Sequence, residues 1–268
     1  MRPTALLGAC ACLLLAPVAR AAEVDSEVRQ GLLVFGHATP GETVRYDKRN
    51  LHVAPDGRFV FGVGRDAKGE AVLEVVAADG TQSRLRLPIA GGNWNIQRID
   101  GLPPSKVTPN AEAMERIKAE RTKIANARAV DSARNDWQAG LQWPAKGRIS
   151  GVYGSQRILN GEPRQPHLGL DVAVPTGTPI AAAMAGVVTL AEPDLYFTGG
   201  TVIIDHGAGV QTLYAHLSRV DVKTGQMVKA GDVIALSGAT GRVTGPHLHF
   251  GLAWYGLQLD PAPYLPGP

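Results

Sequence analysis

From Trp143 to the end of the chain, glycine or proline interrupts nearly every stretch that could otherwise grow into a helix. The apolar pieces left between them are short: PAKGRISGVYG, HLGLDVAVP, AAMAGVVTLAE, GTVIIDHG, VQTLYAHLS, GQMVKAGDVIALSG and PHLHFGLAW. Inside a helix, Gly costs about 1 kcal/mol and Pro about 3 kcal/mol relative to Ala. A segment punctuated in this way is confined to short strands joined by turns. Residues 143–268 are therefore expected to form one compact antiparallel β domain, of ordinary domain size. A chain of 268 residues leaves room for a second unit before it.

Residues 22–103 have the same habit. QGLLVFG, ETVRYD, RFVFGVG, AVLEVVA and SRLRLPI are divided by PGE, PDG, AKGE and ADGTQ. Period-two alternation, with Phe59, Phe61 and Val63 opposite Val60, Gly62 and Gly64, predicts a small all-β, sandwich-like N-terminal domain. The composition then shifts. LPPSKVTP at 102–109 is a Pro-rich break, and residues 110–137 hold no Gly or Pro and are rich in Ala, Glu, Lys and Arg. With Pro109 at its start and a thin stripe of Met114, Ile117 and Ile124, this stretch predicts one or two exposed helices. Residues 104–142 are thus expected to be a Pro-rich break and helical linker, a solvated connector. The fold class is mainly β throughout.

The first 21 residues differ again. Arg2 precedes an apolar run from Ala5 to Val18, and Ala19-Arg20-Ala21 closes it, the pattern of a secretory signal peptide with a small-x-small cleavage site. The run is too short for a comfortable transmembrane anchor, and too little apolar sequence precedes Cys10 for LGAC to act as a lipidation box. Cleavage is expected near Ala21/Ala22, with export to the periplasm or beyond and no stable membrane insertion afterwards. Both cysteines, Cys10 and Cys12, would leave with the segment, so thiol chemistry is excluded from the mature protein. Arg2 and Arg20 would leave too, giving 25 basic against 24 acidic residues, a charge of +1. So even a balance gives no reason to expect a nucleic-acid partner.

The chemistry is concentrated in three strands. In HLGLDVAV, alternation places His167, Gly169, Asp171 and Ala173 on one face and four aliphatic side chains on the other. In PHLHFGLAW, His247, His249, Gly251 and Ala253 share a face opposite Leu248, Phe250, Leu252 and Trp254. Three imidazoles and a carboxylate, on polar faces backed by apolar ones, make a nitrogen and oxygen donor set suited to zinc with a position left open. VQTLYAHLS adds His216, with Tyr214 on the same predicted face. The other histidines carry less: His206 reads as a structural hydrogen-bonding residue, and His37 and His52 as ordinary surface or turn residues.

HLGLD, YAHLS and GPHLHF, in this order and at these separations, resemble the lysostaphin/LytM-type zinc endopeptidases of bacterial cell walls. The resemblance covers roughly residues 145–265, including GEPRQPHLGLDVAVPTGTPI, VKAGDVIALSGATG and LDPAPYL. It implies one zinc ion per chain held by His167, Asp171 and His249, with His216 and His247 as non-ligand catalytic histidines. A zinc-activated water would then attack the scissile amide, its pKa lowered from about 15.7 towards about 7. No glutamate stands beside the ligands, so the two imidazoles would orient the water, move protons and stabilise the oxyanion. The implied function is an exported peptidoglycan endopeptidase, and a Gram-negative-like N-terminal region favours the D-Ala–meso-diaminopimelate cross-link as substrate. In the loop GSQRILNGEPRQP, Asn160 and Arg157 are candidate substrate contacts, together with Tyr214. The alternatives are a non-catalytic wall-binding or hydrolase-activating relative, or an enzyme held shut by its N-terminal region or linker.

Overall fold

The computed structural model describes residues 22–102 and 104–267. The expected signal peptide, with Cys10 and Cys12, lies outside the described residues. The protein is mainly β. Its first part builds a three-stranded sheet from Glu23–Val24, Leu33–His37 and Arg58–Gly62, and a four-stranded sheet from Arg49–Asn50, Thr43–Tyr46, Glu70–Val76 and Gln82–Pro88. In Glu70–Val76 the alternation works as the sequence implies: Ala71, Leu73 and Val75 are buried while Val72, Glu74 and Val76 are half-buried. Arg58–Gly62 departs from it, because Phe59, Val60, Phe61 and Gly62 are all buried. Its second face is covered by the C-terminal region: a Cβ on Gly62 would lie 3.0 Å from the Trp254 Cβ and 3.1 Å from Leu259.

That packing makes the hydrophobic core continuous along the chain. One buried cluster holds Phe59, Phe61 and Leu73 together with Leu170, Tyr214, Phe250 and Trp254. The Tyr46 ring bridges the two parts, 4.5 Å from Phe61 and 5.9 Å from Trp254 between centroids. A second tie is made by backbone. Ile96–Ile99 pairs in parallel with Gln156–Leu159, which turns back antiparallel to Glu162–Pro163. The loop 154–166 is thereby a short hairpin sewn to a strand about sixty residues upstream.

The linker contains one long helix, Ala111–Arg128, and a short helical turn, Pro104–Val107. Asn110 caps the long helix, its side chain accepting from Ala113 N at 2.9 Å, a contact worth about 1 kcal/mol. Only Ile117 and Ala127 are buried along it, so polar contacts do much of the fastening. Lys123 and Arg116 reach Glu192 and Asp194 on the strand Gly186–Leu195, and Gln211 donates to Ala127 O. Met114 is 43% exposed and is turned away from the core. No helix among the described residues is long and apolar enough to cross a membrane.

The C-terminal region forms a ten-stranded sheet. Its main path runs Met227–Val228, Gly186–Leu195, Gly199–Asp205, Val210–Val220, Leu248–Trp254, Leu170–Ala173 and Arg148–Gly151. The three histidine- and aspartate-bearing segments are thus neighbours at the centre of one sheet.

Candidate active site

Sheet register sets the site. Asp171 lies directly opposite His249, and His249 directly opposite Ala215, so neighbouring strands present their polar side chains on one face. Glycine clears space around them: a Cβ on Gly169 would sit 2.6 Å from His249 Cε1, and one on Gly151 2.5 Å from Asp171 Oδ2. The Asp171 strand begins at Leu170. His167 therefore approaches from the preceding turn, held by its backbone N–H donating to Ser155 O at 2.8 Å.

Three donor atoms converge. His167 Nε2 is 2.9 Å from Asp171 Oδ1, His249 Nδ1 is 2.8 Å from the same oxygen, and the two nitrogens are 3.0 Å apart. His167 Nδ1 lies 3.0 Å from the Val152 carbonyl, which can only accept, so Nδ1 carries the proton and Nε2 presents a lone pair. Burial pushes the His167 pKa down to about 4 against the pull of Asp171, so the ring is neutral at pH 7. Burial also opposes ionisation of Asp171, yet its contacts with His167 and His249 hold its pKa well below the ordinary aspartate value. One imidazole proton cannot serve three mutual contacts among two nitrogens and a carboxylate oxygen. A cation among them can. Two imidazoles and one carboxylate suit zinc, and among the described residues they form the one cluster with metal-ligand geometry.

The second carboxylate oxygen is held separately. Arg157, on Gln156–Leu159, donates from Nη2 to Asp171 Oδ2 at 2.8 Å. That leaves Oδ1 aimed at the histidines, the outer-shell orientation that tunes a metal ligand. The guanidinium of Arg157, a candidate substrate contact, is paired with Asp171, and its side chain also borders the groove.

His216 occupies a break in its strand. Val202 pairs with Tyr214 but Gly200 pairs with Leu217, so Val210–Val220 carries one extra residue there, a β-bulge. His216 has φ of +65°, a left-handed conformation unfavourable for a residue with a Cβ. Its backbone N–H donates to Thr198 O at 2.7 Å, and Nδ1–H donates to Thr240 O at 2.9 Å. Nε2 is therefore left with an open lone pair. Burial, with the neighbouring His249 and His247 rings, pushes the His216 pKa well below the usual histidine value. His247 is oriented the same way, Nδ1–H donating to Gly245 O at 2.9 Å with Nε2 3.9 Å from Asp171 Oδ1. The His216 and His247 ring centroids are 4.7 Å apart.

The other two candidate contacts, Tyr214 and Asn160, are held by bonds within the fold. The bulge breaks the alternation that would have put Tyr214 beside His216. Tyr214 is fully buried, its hydroxyl accepting from Ala183 N at 2.7 Å, so it cannot meet a substrate. Asn160 takes φ of +50° and pins the linker, Oδ1 accepting from Leu102 N and Nδ2 donating to Leu102 O. It is not among the residues that line the groove. His206 is, as expected, structural: Nδ1–H donates to Ala185 O and Nε2 meets Thr212 Oγ1 at 2.8 Å.

A groove of about 490 Å³ opens over the donor cluster, bordered by His167, His216 and His249. Its walls include Phe197, Gln258, Met114 and four arginines, Arg121, Arg157, Arg164 and Arg242. Apart from Arg157, no motif in the sequence marks these residues. Arg242 follows the Gly-rich turn GATG with nothing to distinguish it from a surface cation.

Residues 165–261, which contain all five clustered side chains, match the profile of peptidase family M23. Over 117 residues, 43% of this chain, the sequence is 46% identical to peptidoglycan DD-endopeptidase ShyA of Vibrio cholerae, covering 27% of that protein. Over 95 residues, 35% of this chain, it is 44% identical to DD-carboxypeptidase/endopeptidase Mpg of Neisseria meningitidis, covering 22% of that protein. The matched stretch thus spans about a quarter of the length of these curated relatives. A crystal structure of a candidate M23 peptidase from Pseudomonas aeruginosa superposes with a TM-score of 0.70 at 31% identity, over 89% of this chain and 95% of that one.

Proposed function

The chain belongs to peptidase family M23, and on that premise we propose that it is an exported zinc-dependent endopeptidase acting on peptide cross-links of peptidoglycan. The observation that carries this reading is the convergence of His167 Nε2, Asp171 Oδ1 and His249 Nδ1 at a groove that His216 also borders, with the His247 ring 4.7 Å from that of His216. That ShyA is a peptidoglycan DD-endopeptidase and Mpg a DD-carboxypeptidase/endopeptidase supports peptidoglycan as the substrate, and the bond we propose is the D-Ala–meso-diaminopimelate cross-link. These relatives also support action outside the cytoplasm, in keeping with the signal-like residues 1–21.

Zinc, when bound by His167, Asp171 and His249, supplies Lewis acidity toward the scissile carbonyl and the attacking water. The chain's own residues do the rest. Arg157 fixes the Asp171 carboxylate, and the Val152 carbonyl fixes the His167 tautomer. Thr240 and Gly245 do the same for His216 and His247, leaving an Nε2 lone pair on each. Either Nε2 can take a proton from the attacking water, and the resulting imidazolium can hand it to the departing amine or hold the oxyanion by hydrogen bonding. Depression of the His216 pKa keeps that ring unprotonated at neutral pH, as a proton acceptor must be.

The test is mass spectrometry of soluble products after the purified protein acts on cross-linked diaminopimelate-type peptidoglycan, with and without a zinc chelator. Dimeric muropeptides should fall to monomers, and chelator should prevent it. Unchanged dimers in both samples, from a protein that binds one zinc, would move the reading to a wall-binding relative.

A further inference from the structure

Four arginines border the groove, and none of the described residues lining it is an aspartate or glutamate. Two of the four have structural employment. Arg157 is paired with Asp171, and Arg164 donates to the carbonyls of Val107 and Pro163 and faces Glu162 at 3.5 Å. Arg121 projects from the linker helix. Arg242 is different again: it is half-buried, and among the described residues no carboxylate or carbonyl accepts from its guanidinium. Its guanidinium lies over the Phe197 ring, whose centroid is 4.5 Å from Cζ. Stacking of this kind covers one face of the guanidinium and leaves its hydrogen-bonding edge free.

The position of Arg242 is fixed by the same turn that fixes His216. Arg242 N donates to Phe197 O at 2.9 Å, while His216 N donates to Thr198 O at 2.7 Å. Gly241, at φ +77°, is pressed against this turn so closely that a Cβ would lie 2.5 Å from Phe197 O and 2.6 Å from Gly199 N. Thr240, two residues before Arg242, supplies the carbonyl that orients the His216 ring. Burial and the like charges of Arg157 and Arg164 all disfavour the Arg242 cation. A guanidinium kept in that setting without an acid is costly to the folded state, and an anion arriving with the substrate would relieve the cost.

We propose that Arg242 is a specificity-determining residue that binds a free carboxylate carried by the substrate beside the scissile amide. This rests on the peptidase reading of the same groove and narrows it to acidic peptide cross-links. A diaminopimelate cross-link has such a carboxylate on the carbon bearing the scissile nitrogen. An oligoglycine bridge has none within it.

The experiment uses two soluble cross-linked peptides, identical except that this carboxylate is free in one and amidated in the other. The full protein and its Arg242→Gln and Arg242→Lys variants are compared by kcat/KM and by calorimetric binding, with zinc content and melting temperature as controls. The wild type should favour the free acid by about 10- to 100-fold, the worth of one or two hydrogen bonds to a charged group. In Arg242→Gln that ratio should fall to near unity, and Arg242→Lys should keep part of it because the charge remains without the planar fork. Equal treatment of the two peptides by the wild type, or an undiminished ratio in Arg242→Gln, overturns the inference. If the wild type cuts neither peptide, the peptidase reading fails, and the binding ratio alone then decides the role of Arg242.

Discussion

The hairpin of Gly199–Asp205 and Val210–Val220 carries a buried histidine near each end, and the two are in opposite chemical situations. At the turn end, His206 is fully buried, its pKa pushed down to about 4 by burial, and both ring nitrogens are occupied by Ala185 O and Thr212 Oγ1. At the other end, His216 is also depressed by burial, but one nitrogen is held by Thr240 O and the other faces the groove. A shifted pKa is therefore common to both ends and does not by itself locate chemistry. What separates them is an open lone pair and a left-handed backbone. The closed end holds the fold, and the open end stores strain where a reaction can use the ring.

Substituting each histidine should break the hairpin's two functions apart. His216→Ala should lower kcat on a cross-linked peptide by about 10²- to 10⁴-fold, the usual worth of a positioned acid or base, while zinc content stays at one per chain. Normal turnover in this variant would erase the distinction between the two ends. His206→Ala should do the reverse. It leaves a cavity and removes the partner of the half-buried Ala185 carbonyl, while Thr212 keeps its bond to the Tyr214 hydroxyl, and should cost about 3 kcal/mol in urea unfolding, with kcat per folded molecule retained.

How much of this is legible in the sequence depends on the range over which each feature is set. Facial alternation is local, so the shared polar face of His247 and His249, and that of Asp171 with Gly169, can be read from residue types alone. The bulge at His216 cannot. It arises where Val210–Val220 leaves its pairing with Leu248–Trp254 and takes up Val233–Ser237, a choice made by a partner strand roughly twenty residues away. Tyr214 consequently goes to the core although simple alternation puts it beside His216. The bond from Arg157 to Asp171 is hidden for a similar reason: its hairpin is placed by parallel pairing with Ile96–Ile99, which directs the guanidinium to Asp171. Asn160 closes the same hairpin onto Leu102. In the linker, composition signals a helix, but that Met114 and Arg121 would border the groove depends on docking through Ile117 and the ion pairs to Glu192 and Asp194.

The closed end should also be visible as acid lability. The folded pKa of His206, about 4, lies below the unfolded value of about 6.5. Between those values the unfolded chain binds more protons, so this contribution to stability is complete above pH 6.5 and declines as pH falls towards 4. From pH 7.5 to pH 5 the loss attributable to His206 is about 2 kcal/mol. Urea unfolding of wild type and His206→Ala at the two pH values checks it: the variant should lose less stability on acidification, and parallel losses would remove His206 as the cause.

The smallest effect tests the strain at the open end. At φ +65° an L-residue is disfavoured, whereas glycine meets no Cβ penalty. Both His216→Gly and His216→Ala delete the imidazole and its bond to Thr240 O, so side-chain losses largely cancel between them. Glycine brings a more flexible unfolded chain, which in an ordinary strand would make it the less stable variant by roughly 0.5–1 kcal/mol. In the left-handed position the order should invert, with His216→Gly the more stable by about 1 kcal/mol. The sign of that difference, read from paired urea midpoints at equal m-values, is the informative quantity. If alanine is the more stable, the backbone at His216 is relaxed, and the open end differs from the closed one only in which nitrogen is left without a partner.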